Sequence, residues 1–288
     1  MPIRPVCGAL EVPAKPGLNG IKSHPVRNHL SESDAYERRV DAYYSKLEDL
    51  LSWELTDKND EPFWRWIASR GHPGAILEVG CGAGRVTRLL ARRGVPVLAV
   101  DLSPNLLRRA GERVSACSNV QLARADFRLL PTARRFGLVV AADDPFSHMV
   151  EEWRRAESFE SVADRLELGG TMILDALWFP ETQREIACGP GGLKKEHACN
   201  TDHGRLRIKE TWELEAGTNE CRAAYEYKLG DEVARRVEFA GRVWTHAEVR
   251  WRCESCQLRV NRCWGNYRRD PWEPGTSTRL IVEAVRTG

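Results

Sequence analysis

The sequence predicts an α/β protein carrying a second, antiparallel layer, and three observations lead there. Between residues 74 and 177 short, almost wholly apolar β runs alternate with amphipathic helical runs. Residues 205–244 hold three runs of period two instead, and the chain then returns to helix and strand. Strands apolar throughout and separated by amphipathic helices mark a parallel sheet covered on both faces. At 288 residues, 42% of them hydrophobic, the chain can bury one substantial core and a small added layer.

Residues 1–35 mix Pro, Gly, Asn, Ser and His without periodicity and read as a tail or loosely docked arm. Tyr36, Val40, Tyr43, Tyr44, Leu47, Leu50 and Leu51 then recur at three and four, predicting a helix over 34–55, with a short second helix over 63–68. The run AILEV follows, then a helix over 85–93, PVLAV, a helix over 104–114, VQLARA, FGLVVAA, a helix over 150–166 and TMILDAL. A Gly/Pro/Lys stretch, CGPGGLKKEH, leads into the runs RLRIKETWELE, ECRAAYEYKL and EVARRVEFAGRVW. The joints AGTN and GD are hairpin chemistry. Residues 181–243 are therefore read as an antiparallel β cap inserted into an α/β domain made of 36–180 and 244–288. Thr245 with Glu248 three residues later is a capping box that opens the last helix, and QLRVNRCWG and TRLIVEAV close as strands.

Charge narrows the partner, since 43 Lys+Arg against 41 Asp+Glu leaves +2 and no basic block of the kind nucleic acid requires. No apolar run approaches the roughly 18 residues of a membrane span, and the first residues lack a secretory apolar core. A soluble, cytoplasmic protein with a small-molecule partner is expected. Nine scattered cysteines in a chain of this length read as free thiols of a reducing compartment.

The most specific segment is residues 76–85, Ile-Leu-Glu-Val-Gly-Cys-Gly-Ala-Gly-Arg, a buried strand running into a glycine loop and then a helix. Gly80, Gly82 and Gly84 allow a tight turn that presents bare peptide N–H groups at a helix N-terminus, where a negatively charged ligand group is expected. The spacing is G-x-G-x-G, one residue short of the dinucleotide fingerprint. Asp101 ends the next strand, placed for its carboxylate to accept two ribose hydroxyls. Asp126 and Phe127 end the third, an acid and a ring suited to an adenine amine and an adenine face.

Glu78 through Gly84, Asp101, Asp126 with Phe127, and the stretch LELGGTMILDA together resemble class I S-adenosylmethionine-dependent methyltransferases, and the closing helix and strand pair is similar to the small-molecule branch. The resemblance implies a Rossmann-like seven-stranded sheet with S-adenosyl-L-methionine as cofactor. It puts the methionine end near Gly80 to Gly84, the ribose on Asp101 and the adenine against Asp126 and Phe127, with Glu78, Cys81, Arg85, Leu102 and Ala142 completing the set. Tyr43 or Tyr44 corresponds to a tyrosine that many relatives fold over the methionine end. Residues 141–148, AADDPFSH, follow the fourth strand and face the transferable methyl. His148 is the natural base there, with Asp143 and Asp144 as further catalytic candidates and Phe146 and Trp178 as substrate contacts. Aminosugar N-methyltransferases carry a similarly placed histidine, and Asp175 to Pro180 is similar to their strand-to-cap junction.

Each candidate has a plainer alternative: a helix-start histidine, loop or N-cap carboxylates, core rings. Adjacent carboxylates could hold Mg²⁺, and His246, Cys253, Cys256 and Cys263 are zinc-ligand types, but their spread over helix end and strand leads us to expect no metal. Trp178, Trp212, Trp244, Trp264 and Trp272 fall in or beside the expected cap, as crevice wall or as its core. The leading reading is methyl transfer to a nitrogen or oxygen of a small metabolite, a sugar or an aromatic intermediate, by a monomer or a homodimer paired through the cap. The alternatives are a non-catalytic cofactor- or partner-binding module of the same fold, an amino-directed nucleic-acid methylase, and a nicotinamide dinucleotide enzyme, the last disfavoured by the displaced third glycine.

Overall fold

A computed structural model describes residues 60–130, 132–201, 204–230 and 232–288; the helix expected over 34–55, with Tyr43 and Tyr44, lies outside the described residues. Helix α1 (Glu61–Ser69) leads into β1 (Ile76–Val79), α2 (Arg85–Ala91), β2 (Val97–Asp101), α3 (Pro104–Arg113) and β3 (Val120–Arg124). A 3₁₀ turn (Phe127–Leu129), β4 (Phe136–Ala141), a second 3₁₀ turn (Pro145–His148), α4 (Glu152–Arg165) and β5 (Leu166–Ala176) complete the alternation. Helix α3 starts where its sequence dictates: Pro104 occupies the first turn and the Ser103 hydroxyl accepts the Leu106 N–H.

The strand order is β10-β11-β5-β4-β1-β2-β3, where β10 (Leu258–Trp264) and β11 (Leu280–Arg286) come from the end of the chain. Strands β1 to β5 pair in parallel, and β11 runs antiparallel to both of its neighbours. Burial explains the uniform apolarity of β4, because Val139 and Ala141 face one core cluster while Leu138 and Val140 face the other. The first cluster takes α4 and the second takes α1 and α2.

Helix α5 (Glu181–Cys188) then leads to a separate antiparallel sheet in the order β6 (Leu193–Thr201), β7 (Gly204–Leu214), β8 (Glu220–Leu229), β9 (Glu232–Arg242). Sequence periodicity finds only the last three of these strands. β6 reads LKKEHACNT, too polar to announce itself, and it forms as an edge strand because β7 supplies its whole hydrogen-bonding ladder. The stems of this sheet meet at the main domain, with Trp244 N donating to Leu177 O at 2.9 Å. Helix α6 (His246–Ser255) returns the chain to the sheet. Its Thr245 hydroxyl caps Glu248 N at 3.1 Å, but the reciprocal half of the capping box is missing, since the Glu248 carboxylate is taken by Arg242 at 2.9 Å.

The tryptophans separate. Trp244 is fully buried in the main core, and Trp264 packs behind the sheet against Phe63 and Trp66 of α1 at 5.6 and 5.5 Å, away from the cap. Trp178 and Trp212 line a cavity between the two sheets. All eight cysteines among the described residues are free thiols, and no helix among those residues is long and apolar enough to cross a membrane.

Phe146 is corrected by its surroundings. Its ring has no exposure and is held between Phe127 and Phe159, at 5.0 Å from each, so it belongs to the core instead of contacting substrate. Phe146→Ala should lower unfolding free energy by about 3–5 kcal/mol, the usual cost of deleting a buried aromatic ring. Urea denaturation measures it, and a loss below about 1 kcal/mol would contradict the core assignment.

Candidate active site

Strand order reverses between β1 and β4, and an open parallel sheet leaves a crevice beyond the strand ends at such a point. An open cleft lies there. Glu78, Gly80, Cys81, Gly82, Arg85, Asp101, Leu102, Phe127, Ala142, Asp143 and His148 all line it.

The glycine loop is shaped by close approaches. Gly80 sits at φ +66°, and a Cβ there would lie 2.5 Å from the Pro145 side chain; a Cβ at Gly84, φ +77°, would lie 3.0 Å from Ala110 of α3. A Cβ on Gly82 would meet nothing within 4 Å, so the loop turns an open side to the cleft that Gly82 lines. Asp101 fastens this loop, since its two carboxylate oxygens accept Gly82 N at 2.8 Å and Ser103 N at 2.9 Å. Burial pushes the Asp101 carboxyl up while the backbone donors pull it back.

Glu78, inside β1, is buried and accepts the Thr87 hydroxyl at 2.6 Å. Loss of hydration raises its pKa to about 8 against the pull of that hydrogen bond and of Arg85. Arg85 is ion-paired with the fully buried Asp60, which also accepts Trp64 Nε1 at 2.8 Å.

Asp126 departs from expectation, because its carboxylate caps the 3₁₀ turn through Arg128 N at 2.9 Å and is gripped by the Arg128 guanidinium. It does not line the cleft, whereas its neighbour Phe127 does. A carboxylate at a strand end needs a partner, and the sequence places an arginine two residues away to supply one.

Asp143 and Asp144 occupy consecutive left-handed positions, φ 62° and 66°, a conformation aspartate tolerates better than most residues at a cost of about 1–2 kcal/mol each. The pair straddles two spaces: Asp143 lines the cleft, and Asp144 lines a second cavity beneath the cap, together with Trp178, Lys195, Glu210, Trp212, Tyr225 and Arg279. Behind them stands Asp175, fully buried at the end of β5. It accepts Arg279 Nε and Nη2 at 2.8 and 2.9 Å, the Tyr267 hydroxyl at 2.7 Å and Asp143 N at 3.2 Å. Arg279 Nη2 also lies 3.9 Å from Asp143 and 3.7 Å from Asp144, so a guanidinium stands where the Mg²⁺ alternative would put a metal. Sequence reading missed Tyr267 and Arg279, which lie in the β10–β11 connection and carry no local motif.

His148 ends the second 3₁₀ turn, buried at the cleft wall, with Phe239 of β9 edge-on to its ring at 5.1 Å. The cap approaches closely here, for a Cβ on Gly241 would come within 2.8 Å of Ser147 O. Trp178 donates to Ser277 O at 3.2 Å and meets Trp272 edge-on at 5.2 Å. His246 and Cys263 do come together, Nε2 to Sγ 3.5 Å, with the imidazole stacked on Trp272.

The residues present fit S-adenosylmethionine: an open-sided peptide loop, a carboxylate at the end of β2 where the ribose is expected, and a ring and a buried acid lining the same cleft. Glu78 also generates a prediction independent of any ligand. Its folded pKa lies above its unfolded value, so the native state holds a proton the unfolded state releases, and stability falls as pH rises from about 4.5 to about 8. Each pH unit in that window is worth about 1.4 kcal/mol. Glu78→Gln should therefore melt higher than the parent by an amount that grows from pH 5 to pH 8, and parallel melting-temperature profiles would refute the assignment.

Residues 76–170 match the family model of a methyltransferase domain. The chain is 28% identical over 108 residues to a dTDP-3-amino-3,4,6-trideoxy-alpha-D-glucopyranose N,N-dimethyltransferase of Streptomyces venezuelae, covering 38% of this chain and 44% of the relative. It is 30% identical over 174 residues to a malonyl-[acyl-carrier protein] O-methyltransferase of Halalkalibacterium halodurans, 58% of this chain and 59% of that one. In general the chain spans about half the length of the curated relatives it matches. Among solved structures, S-adenosylmethionine-bound CalS10, an amino pentose methyltransferase from Micromonospora echinaspora, superposes with a TM-score of 0.64 at 18% identity, over 92% of this chain and 100% of that one. Sequence match and fold agree: residues 76–170 match a methyltransferase domain, and the chain has the fold of solved S-adenosylmethionine-dependent methyltransferases.

Proposed function

We propose that this protein transfers a methyl group from S-adenosylmethionine to a nitrogen or oxygen of a small molecule, a sugar or an aromatic intermediate, held in the cavity beneath the cap. The observation that carries the reading is the pair Asp143–Asp144, one residue lining the cofactor cleft and the next lining the capped cavity, so that donor and acceptor spaces adjoin. Relatives named for N-methylation of an amino sugar and for O-methylation support the choice of acceptor atoms. A near-neutral chain favours a small molecule over a nucleic acid.

When bound, the cofactor supplies a methyl on a sulfonium, which transfers by in-line displacement. The chain's own work is alignment and proton removal. Peptide N–H groups of the glycine loop and the Asp101 carboxylate hold the two polar ends of the ligand, and Phe127 gives its base a flat neighbour. Asp101 already accepts two backbone donors, yet a carboxylate offers about four lone-pair sites, so ribose hydroxyls can still be received. An ammonium brought near Glu78 stabilises its ionised form and lowers its raised pKa. His148, at the wall beside Asp143, takes the proton from an acceptor that arrives as an ammonium or a hydroxyl. Phe239 against its ring keeps it aimed and dry.

Asp101→Asn should weaken S-adenosylhomocysteine binding roughly 10- to 150-fold, the range for hydrogen bonds to a charged acceptor. Isothermal calorimetry measures this, and an unchanged dissociation constant would place the ribose elsewhere. His148→Ala should slow turnover about 10²- to 10⁴-fold with cofactor affinity preserved, and the decline of activity toward acid pH should vanish with the imidazole. A variant that keeps most of its rate and its pH profile would reduce His148 to a packing residue.

A further inference from the structure

The cap sheet has one solvated face and one apolar face. On β7 the alternate residues Arg205, Lys209 and Glu213 are exposed, while Leu206, Ile208, Trp212 and Leu214 are buried. Register carries the apolar face across all four strands, since Leu206 pairs with Cys199 of β6, Ile208 with Tyr227 of β8, and Tyr225 with Val237 of β9. This face divides into two clusters. The half nearer the main domain, with Leu193, Trp212, Leu214 and Phe239, is joined by Phe179 and by Ala187 of α5. The far half holds Cys199, Leu206, Ile208, Tyr227 and Val237, and among the described residues it draws on no element but the cap strands themselves.

Side chains on one face of a sheet stand roughly perpendicular to it, so they screen each other's flanks and leave their ends open. Leu206 and Ile208 are nevertheless 0% exposed and Tyr227 1%. They reach that burial within a single chain, so the cover belongs to the same chain. Outside the described residues lie 1–59 and the short stretches 131, 202–203 and 231. Only the first is long enough to cover four strands, a width of about 14 Å at the usual strand spacing. Within it residues 1–35 carry no periodicity, whereas Tyr36, Val40, Tyr43, Leu47 and Leu50 recur at four and three as one stripe. The point where the described chain begins agrees. Asp60 is fully buried and paired with Arg85, which lines the cleft, and the cap meets that cleft where Phe239, two residues along β9 from Val237, touches His148. A helix over 34–55 would span about 33 Å, enough to run from the cleft along the whole face.

We propose that residues 34–55 dock as an amphipathic helix on the far half of the cap's apolar face, with the stripe from Tyr36 to Leu50 against Leu206, Ile208 and Tyr227. The segment then ties the cap to the main domain. The proposal stands apart from the methyl-transfer reading and needs no ligand.

Cys199 reports on it, a thiol in the docking face at 7% exposure, and Cys253, with no exposure in the main core, is the internal control. In the full chain, Leu47→Asp combined with Leu50→Asp should speed iodoacetamide alkylation of Cys199, read by peptide mass spectrometry, about tenfold or more while Cys253 stays protected. Leu47→Met with Leu50→Met should keep Cys199 protected. Under mild oxidation at least one of Val40→Cys, Tyr43→Cys and Leu47→Cys should form a disulfide with Cys199 inside a monomer. Unchanged protection of Cys199 in the double aspartate variant, or no pairing by any of the three cysteines, would overturn the proposal. Protection that fades when the parent is diluted, or a disulfide between chains, would overturn it in favour of a second copy on this face. If the aspartates expose Cys253 as well, the chain has opened globally and the disulfide result decides.

Discussion

The buried carboxylate of Asp175 is the constraint on which the rest of the site depends. A charge with no exposure at the end of a central strand is costly unless it is fully paired, and removing one partner of such a pair typically costs about 3–5 kcal/mol. Arg279, Tyr267 and the Asp143 amide satisfy it together. Its backbone carbonyl takes Asp144 N as well, at 3.2 Å. One residue therefore holds two consecutive left-handed aspartates in place, and the strain of that turn is offset by the hydrogen bonds it makes possible. The turn is also the boundary between the cofactor cleft and the capped cavity. The electrostatics of a single strand end thus fix where the cleft and the capped cavity adjoin.

The closing strands have a role beyond covering an edge. Strand β11 runs antiparallel between β5 and β10, so the connection joining β10 to β11 is delivered to the carboxyl end of β5, where Asp175 lies. Arg279 immediately precedes β11, and Tyr267 follows β10. A parallel final strand would have put its leading residues at the opposite end of the sheet, away from the crevice. The reversed strand is what allows a C-terminal arginine to neutralise an acid more than a hundred positions earlier in the chain.

What was legible in the sequence follows the range of the forces involved. The glycine loop and Asp101 were readable because their constraints are local: a turn needing positive φ, then a strand ending in an acid. The alternation of strands and helices was readable because burial on both faces leaves an unbroken apolar run, as in β4. Asp126 and Phe146 were misplaced because their partners decide their roles. Arg128 competes for the first, and the Phe127–Phe159 stack absorbs the second. β6 was missed because half of its residues answer to solvent, and Tyr267 and Arg279 because they act on Asp175 from 92 and 104 residues away.

Cap and sheet divide the work along the same lines. The parallel sheet positions groups with backbone geometry that few side chains can alter: peptide N–H groups, a turn wedged against Pro145, a carboxylate tied to two amides. The cap positions groups by register alone, since cross-strand partners on one face are fixed once hairpins set the pairing. Exchanging a residue in the row Lys195–Glu210–Tyr225 changes the chemistry of the cavity without moving a strand. Exchanging one in the glycine loop or at Asp175 disturbs the cleft itself. A fold built this way can keep its cleft geometry constant while the lining of the capped cavity changes, because the two are held by different kinds of constraint that meet at Asp143, Asp144 and the Phe239–His148 contact.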